Sequence, residues 1–349
     1  LLQMHKPEHG GQYNEIDVRK PEFPVIHRHF GTFTTGEIEV DEELRDIGLV
    51  GSSRSLLEAV DRTYRFARAG LPIMLLGEPG TGKEMFATLA HRFSPRRNQD
   101  IVRMNCAAVQ ESLAESELFG AMKGAYTGAI SDRMGKFKMA DKGTLFLDEV
   151  GDLSLPIQAK ILRALENNTI EPVGGKEITV DVRIIVATNK DLRGMVREKL
   201  FRQDLYDRLK GGTVRIPALR ERKHDIELLA HHFLETAAKE KVFAASAIQK
   251  LRAHRWPGNI RELRNTIRQT VALSRSDCIS ADDIEIEQDD TFQPSIPEPH
   301  DGFNMRAYLA EARSTLIEKA LELSKGNLSV AARLLGVTTQ AISKYCAEK

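Results

Sequence analysis

Gly77-Glu78-Pro79-Gly80-Thr81-Gly82-Lys83-Glu84 places three glycines and a lysine in eight residues, after one apolar run and before a helical one. Glycine permits left-handed backbone, so such a turn can aim its amides inward and cradle phosphate oxygens at a helix N-terminus. The stretch fits G-x-x-x-x-G-K, with Lys83 placed to neutralise β- and γ-phosphates. Glu84 stands where the general motif has the Ser or Thr that ligates magnesium. A second constellation supports the first. The apolar run 144–147 ends in Asp148 and Glu149, and two acids at a buried strand end call for a cation or a catalytic task. Asp148 suits Mg2+, directly or through water, and Glu149 suits polarising an attacking water. Loop and acids together predict a nucleoside triphosphatase.

Further polar residues sit where they could serve such a site. Asn105 ends one apolar strand, and Thr188 and Asn189 end another. Arg202 and Arg208 lie six apart on a short helix or turn, and Arg261 follows Pro257-Gly258 at a helix start. Plain alternatives stand beside each: an Asn satisfied by backbone, strand-end polar residues without a task, arginines paired with Asp204 or Asp207, and an Arg261–Glu262 salt bridge. Gly124-Ala125-Tyr126-Thr127-Gly128-Ala129 sets one aromatic among residues too small to pack it, which in isolation is an ordinary turn.

The elements that must hold these residues follow from periodicity. Residues 73–76, 101–104, 144–147 and 182–187 read as buried strands, and 84–93, 158–166 and 56–69 as helices, which predicts a mostly parallel sheet covered on both faces. Helical patterns alone fill 225–287, and 288–302 is a proline-bearing linker. The implied divisions are an N-terminal segment or linker over 1–47, an α/β domain over 48–222, a helical domain over 223–287, the linker, and a last helical domain over 303–349. Because the chain begins at Leu1, it is expected to be trimmed from something longer, and 1–47 to follow a missing regulatory domain.

In that last domain Ala332-x-x-x-Gly336, with Ile342 six residues on, has helix-turn-helix spacing. Leu328, Leu335, Val337 and Ile342 are its expected core. A second helix from about Thr338 would present Thr338, Thr339, Gln340, Ser343 and Lys344 to DNA, Gln reading adenine edges and the others holding phosphates.

Composition excludes several classes. The 349 residues are 41% hydrophobic and 29% charged, as in a globular protein, and 50 basic residues balance 50 acidic ones, so any nucleic-acid surface must be local. Cys106, Cys278 and Cys346 are far apart, with no CxxC, which argues against disulfides or zinc and for a reducing cytosol. His27 and His29 lack a third ligand nearby. No apolar run approaches the roughly 18 residues needed to cross a bilayer.

The ordered motifs resemble one family, the AAA+ ATPase activators of sigma-54 RNA polymerase, or bacterial enhancer-binding proteins. The likeness runs over about 48–280 and the C-terminal helices. It rests on Gly77–Glu84, on Asn105-Cys-Ala-Ala108, on Glu117-Leu-Phe-Gly120 and on Gly124–Ala129. It continues through Gly143–Glu149, Ala187-Thr-Asn189, Phe201-Arg-Gln-Asp-Leu-Tyr206, Leu219-Arg-Glu-Arg222 and Trp256-Pro-Gly-Asn-Ile-Arg-Glu-Leu263. This family normally carries Glu after the loop lysine, so Glu84 agrees with it.

The resemblance implies a P-loop AAA+ α/β domain with a parallel sheet between helices, an α-helical lid and a C-terminal Fis-type helix-turn-helix. It implies ATP and Mg2+ as cofactors, with nucleotide held on Gly77, Glu78, Pro79, Gly80, Thr81, Gly82, Lys83 and Glu84, Glu84 being also a candidate metal ligand. Asn105 becomes a switch bonded to Glu149, Thr188 and Asn189 the γ-phosphate sensor, and Arg261 a second sensor. Arg202 and Arg208 become arginine fingers, which require a homo-oligomer, usually a hexamer. Residues 124–129 would contact sigma-54, the C-terminal domain would bind double-stranded DNA upstream of the promoter, and the protein would be cytoplasmic. Departures are Asp207 and Lys210, where many members carry an aromatic and Asn; Ala121-Met122, for His-Glu; Tyr126, for Phe; and Thr339, for Arg. Two rival readings stay open: an AAA+ regulator independent of sigma-54, and a DNA-binding module with a decayed nucleotide site.

Overall fold

The computed structural model describes residues 47–125, 131–286, 303–324 and 327–348, in two compact units divided at 286/287. In the first unit, helix α1 (Arg54–Arg68) buries Leu56, Ala59, Val60, Thr63 and Ala67, one stripe at three- to four-residue spacing. Strand β1 (Ile73–Leu76) then runs through the glycine loop into α2 (Lys83–Arg92), followed by β2 (Ile101–Asn105) and α3 (Glu111–Phe119). A short hairpin, β3 (Gly120–Ala121) with β4 (Arg133–Met134), leads to α4 (Lys136–Met139), β5 (Thr144–Asp148) and α5 (Leu155–Asn167). A second hairpin, β6 (Thr169–Ile170) with β7 (Ile178–Thr179), precedes β8 (Arg183–Thr188). Helices α6 (Leu192–Arg197) and α7 (Gln203–Leu209) and strand β9 (Gly212–Arg215) complete the α/β part.

Strands β2-β5-β8-β1-β9, in that order, form one parallel five-stranded sheet. Alternate side chains serve opposite faces. Ile73, Leu75, Phe146, Ile185 and Ala187 pack with α1 and α2, whereas Met74, Leu145, Leu147, Ile184 and Val186 pack with α3, α5 and α7. Burial on both faces explains why these strands are nearly continuous apolar runs. The two edge strands escape that pattern: β2, expected as a buried strand, buries only Met104, and β9 (Gly212-Thr-Val-Arg215) buries only Gly212 and Val214.

The register brings the C-terminal ends of the strands together. Asn105 pairs with Asp148, and Leu76 with Thr188, so the glycine loop, the two acids and residues 188–189 share one rim of the sheet. Open α/β sheets bind ligands at this rim.

Helices α8 (His224–Ala237), α9 (Ala245–Ala253) and α10 (Asn259–Leu273) pack around fully buried Trp256, whose indole N–H donates to Leu251 O at 2.8 Å. This segment is not helical throughout, contrary to its periodicity: β10 (Val242–Phe243) pairs in parallel with β11 (Cys278–Ile279). Two-residue strands are too short to leave a periodic signal.

The second unit holds α11 (Met305–Leu323), α12 (Leu328–Leu334) and α13 (Thr339–Glu348). Asn327 caps α12, Gly336 turns with φ +63°, and Ala331, Ala332 and Ile342 are buried against Ile317 and Ala320. Val337, expected in this core, is instead 45% exposed, because it belongs to the turn and not to a packed helix face. Among the described residues, no helix is long and apolar enough to cross a membrane.

Candidate active site

The glycine loop is built as its composition requires. Gly80 and Gly82 have φ of +77° and +100°, where a side chain would be strained, and Gly82 starts α2. Thr81 is buried, its hydroxyl donating to Glu78 O at 2.8 Å. Lys83 folds back over the loop: its side chain is 7% exposed, and its ammonium donates to Gly77 O at 3.1 Å and to Glu149 Oε1 at 3.0 Å. Glu149 has left-handed backbone (φ +52°), which costs a non-glycine residue roughly 1 kcal/mol or more. Its second oxygen, Oε2, accepts from the main-chain N–H of Asn189 at 3.2 Å.

Asp148 accepts from Glu149 N at 3.0 Å, and burial holds its carboxyl above the ordinary aspartate value, against the opposing pull of Lys83. Half-buried negative charge beside a phosphate cradle, incompletely compensated by one lysine, is the donor set a hard divalent cation fits. Glu84 fits less well: its side chain is 71% exposed and sits 3.6 Å from Arg103. Among the described residues, no group of three or more His, Cys, Asp or Glu is arranged to hold a metal unaided. Below the acids, burial drives the Cys106 thiol up to about 12, so this cysteine is an inert packing residue.

Asn105 lies beside the acids, but its carboxamide is not bonded to Glu149. It accepts from Ala107 N at 2.9 Å, capping the 3-10 turn Cys106–Ala108, while Glu149 is held by Lys83 and Asn189. Thr188 is fully buried and accepts from Lys190 N at 3.1 Å. Arg261 is exposed beside Gly80. Its neighbour Glu262 bonds Gly258 N at 2.7 Å rather than Arg261.

Several residues of this site carried no sequence expectation. Arg220 grips both oxygens of Glu78, at 2.7 and 2.5 Å, and Asn259 reaches Glu78 and Pro79 from the first turn of α10. Buried Arg222 donates to Thr81 O at 3.3 Å, and fully buried Asp225 accepts from Ser52 N, Ser53 N and Ser53 Oγ at 2.8, 3.0 and 2.6 Å. The motifs of Arg220, Arg222 and Asn259, Leu219–Arg222 and Trp256–Leu263, were visible, but no local pattern told which side chains reach back to the loop.

Arg202 stands at the N-cap of α7 and Arg208 in its last turn, away from these contacts. Arg202 pairs bidentately with Asp204, at 3.0 and 2.6 Å, and its main-chain N–H is held by buried Gln158 at 2.8 Å. Arg208 donates to Leu165 O at 3.0 Å, and Asp207 bonds Gln203 and Lys210 instead.

The segment 124–129, expected to contact sigma-54, is described only at Gly124 and Ala125; Tyr126, Thr127, Gly128 and Ala129 lie outside the described residues. Its base is anchored, with Met122 N donating to Val173 O at 3.0 Å, Val173 N to Gly120 O at 2.9 Å, and Arg133 paired with Glu117. In the second unit, Thr338, Thr339, Gln340 and Ser343 are exposed, though the Thr338 hydroxyl accepts from Ala341 N at 3.3 Å as a helix cap. Lys344 lies on α13.

Comparison with known proteins matches this geometry to a family. Residues 49–215 match the Sigma-54 interaction domain, and residues 220–295 the AAA+ ATPase lid domain. The crystal structure of NtrX from Brucella abortus in complex with ATP superposes with a TM-score of 0.65 at 32% identity, covering 89% of this chain and 73% of that one. The chain belongs to the sigma-54 activator family of AAA+ proteins. A Nif-specific regulatory protein of Azotobacter vinelandii is 42% identical over 300 residues, and the transcriptional regulatory protein GlrR of Escherichia coli (strain K12) 40% identical over 304. The matched regions span 57% and 66% of those relatives' lengths, and 84% and 85% of this chain.

Proposed function

We propose that this family member is an ATPase whose hydrolysis cycle remodels sigma-54 RNA polymerase and opens promoters. The observation that carries the proposal is the buried Lys83, held between the glycine loop and Glu149 with Asp148 on the adjoining strand end. ATP entering the loop would draw Lys83 from Glu149 onto its phosphates and free the carboxylate to polarise water. Mg2+, held by Asp148 directly or through water, with exposed Glu84 as the second candidate, would supply charge neutralisation at the phosphates. Asn105, adjacent to Asp148 in the sheet, would then exchange its cap on Ala107 for Glu149, and Thr188 and Asn189 would register the γ-phosphate.

The arginines require a second subunit. Arg202 and Arg208, on an outer helix, would reach the nucleotide of a neighbour in a ring, a hexamer when active, while Arg261 would act from the lid of the same chain. Movement at the strand ends would pass through α3 into the β3–β4 hairpin and the 124–129 loop, whose Tyr126 and Thr127 would engage sigma-54. Thr339, Gln340, Ser343 and Lys344, with Thr338 as cap, would hold the protein on an upstream duplex. Thr127→Ala tests the loop: ATP hydrolysis should be retained while open-complex formation with sigma-54 polymerase is lost. A Thr127→Ala protein that still opens promoters would remove the loop from the mechanism.

A further inference from the structure

Nucleotide-binding loops pay for preorganisation somewhere in the fold, and here the contacts lead to one carboxamide. Asn259 is fully buried, and all of its side-chain hydrogen-bonding groups are used. Its Oδ1 accepts from Leu219 N at 2.8 Å, and its Nδ2 faces Glu78 Oε2, Pro79 O and Pro257 O at 3.1, 3.0 and 3.3 Å. The next residue, Ile260, donates its main-chain N–H to Gly80 O at 3.0 Å. Contact there is so close that a Cβ on Gly80 would lie 2.2 Å from Gly258 O.

Three segments far apart in sequence therefore meet at Asn259: the phosphate loop at 78–80, the 3-10 turn Leu219–Glu221, and the start of lid helix α10. Glu78 is the joint between them. Arg220 holds its carboxyl below the ordinary range, and Asn259 adds a second donor to the same group. The junction is maintained against backbone strain, since Asn259 adopts φ +53°, a left-handed conformation that Asn tolerates better than most residues but that still disfavours folding.

We propose that Asn259, acting through Glu78 together with Arg220, is a positioning residue that lets the lid set nucleotide affinity. It holds residues 78–80 in the phosphate-binding shape before nucleotide arrives, so the lid cannot shift without carrying the loop. The inference rests on the reading of residues 77–84 as the nucleotide site. None of these side chains touches the reacting atoms; the effect belongs in binding and not in the chemical step.

The test compares the full chain with Asn259→Gly, Glu78→Gln and the double variant. Glycine keeps the left-handed backbone and removes the carboxamide; Glu78→Gln, which keeps the side chain's size and removes its charge, serves if the first variant folds poorly. Binding of Mg-ADP by calorimetry, ATP hydrolysis and Tm are measured on each. Losing hydrogen bonds to a charged partner predicts an ADP Kd raised about tenfold in each single variant. KM for ATP should rise in parallel while kcat stays within about twofold, and the double variant should be less than additive. A lowered Tm with unchanged ADP Kd in both single variants would overturn the proposal and leave Asn259 a purely structural residue. Fully additive losses would overturn the route through Glu78. Wild-type protein that binds no ADP would instead refute the nucleotide site itself.

Discussion

Lys83 and Arg202 each rest on a carboxylate of their own chain, at 3.0 and 2.6 Å, yet their side chains are 7% and 40% exposed. The first pair closes the phosphate loop from within; the second lies on an outer helix, its main chain pinned by Gln158. A buried pair is costly to break unless another anion takes its place, whereas an exposed pair contributes about 0–1 kcal/mol and exchanges freely. The inner cation is thus committed to a site completed by a ligand, and the outer one is available to a neighbouring molecule at little cost. Under the proposed function, two arrangements that look alike as ion pairs would divide the work between cis binding and trans completion.

The sharpest way to separate them is to delete each cation. Lys83→Ala should abolish ATP hydrolysis together with ADP binding. Arg202→Ala should lower hydrolysis about a thousandfold with ADP binding and Tm unchanged, as expected of a charge supplied in trans. Equal losses of ADP binding would erase the distinction.

Glu149→Gln separates chemistry from occupancy at the inner pair. Hydrolysis should fall by roughly a hundredfold or more, while ADP, which cannot be hydrolysed further, should bind more tightly because Lys83 no longer has a carboxylate to leave. Weaker ADP binding to Glu149→Gln would show that the pair supports the loop rather than competing with nucleotide.

Asp148 gives the pH dependence. Its folded-state carboxyl titrates above the ordinary value of 3.8, mainly through burial. The folded state therefore favours the proton. Its contribution is fully present below the unfolded value and lost as pH rises through the folded value, so at neutral pH the ionised Asp148 destabilises the nucleotide-free protein. Asp148→Asn should melt higher at pH 7, with the gain vanishing towards about pH 4. The smallest effect belongs to Asp204→Asn, which should change stability by less than about 1 kcal/mol in urea unfolding because its pair with Arg202 is exposed.

The part of this site carried by neighbouring residues was legible in the sequence. The glycine loop and the Asp148–Glu149 pair are contiguous, and each stands at the end of an apolar run that marks its strand. What could not be read are contacts closed by the fold: Asn259 to Glu78 spans 181 positions, and Asp225 to Ser52 spans 173. Periodicity placed α10 but not the carboxamide at its start. It missed β9 because an edge strand with exposed Thr-Arg character has no continuous apolar run, and it put Val337 in a core that its turn leaves open. In the nucleotide-free structure Asn105 caps Ala107 N instead of bonding Glu149, because a short-range backbone donor is at hand.

Promoter opening by the purified chain with sigma-54 holoenzyme tests the central claim most directly. Open complexes scored by permanganate footprinting should form with ATP, disappear with Lys83→Ala, and be absent when sigma-70 holoenzyme is substituted. Opening without ATP, or opening with sigma-70 alone, would contradict the account.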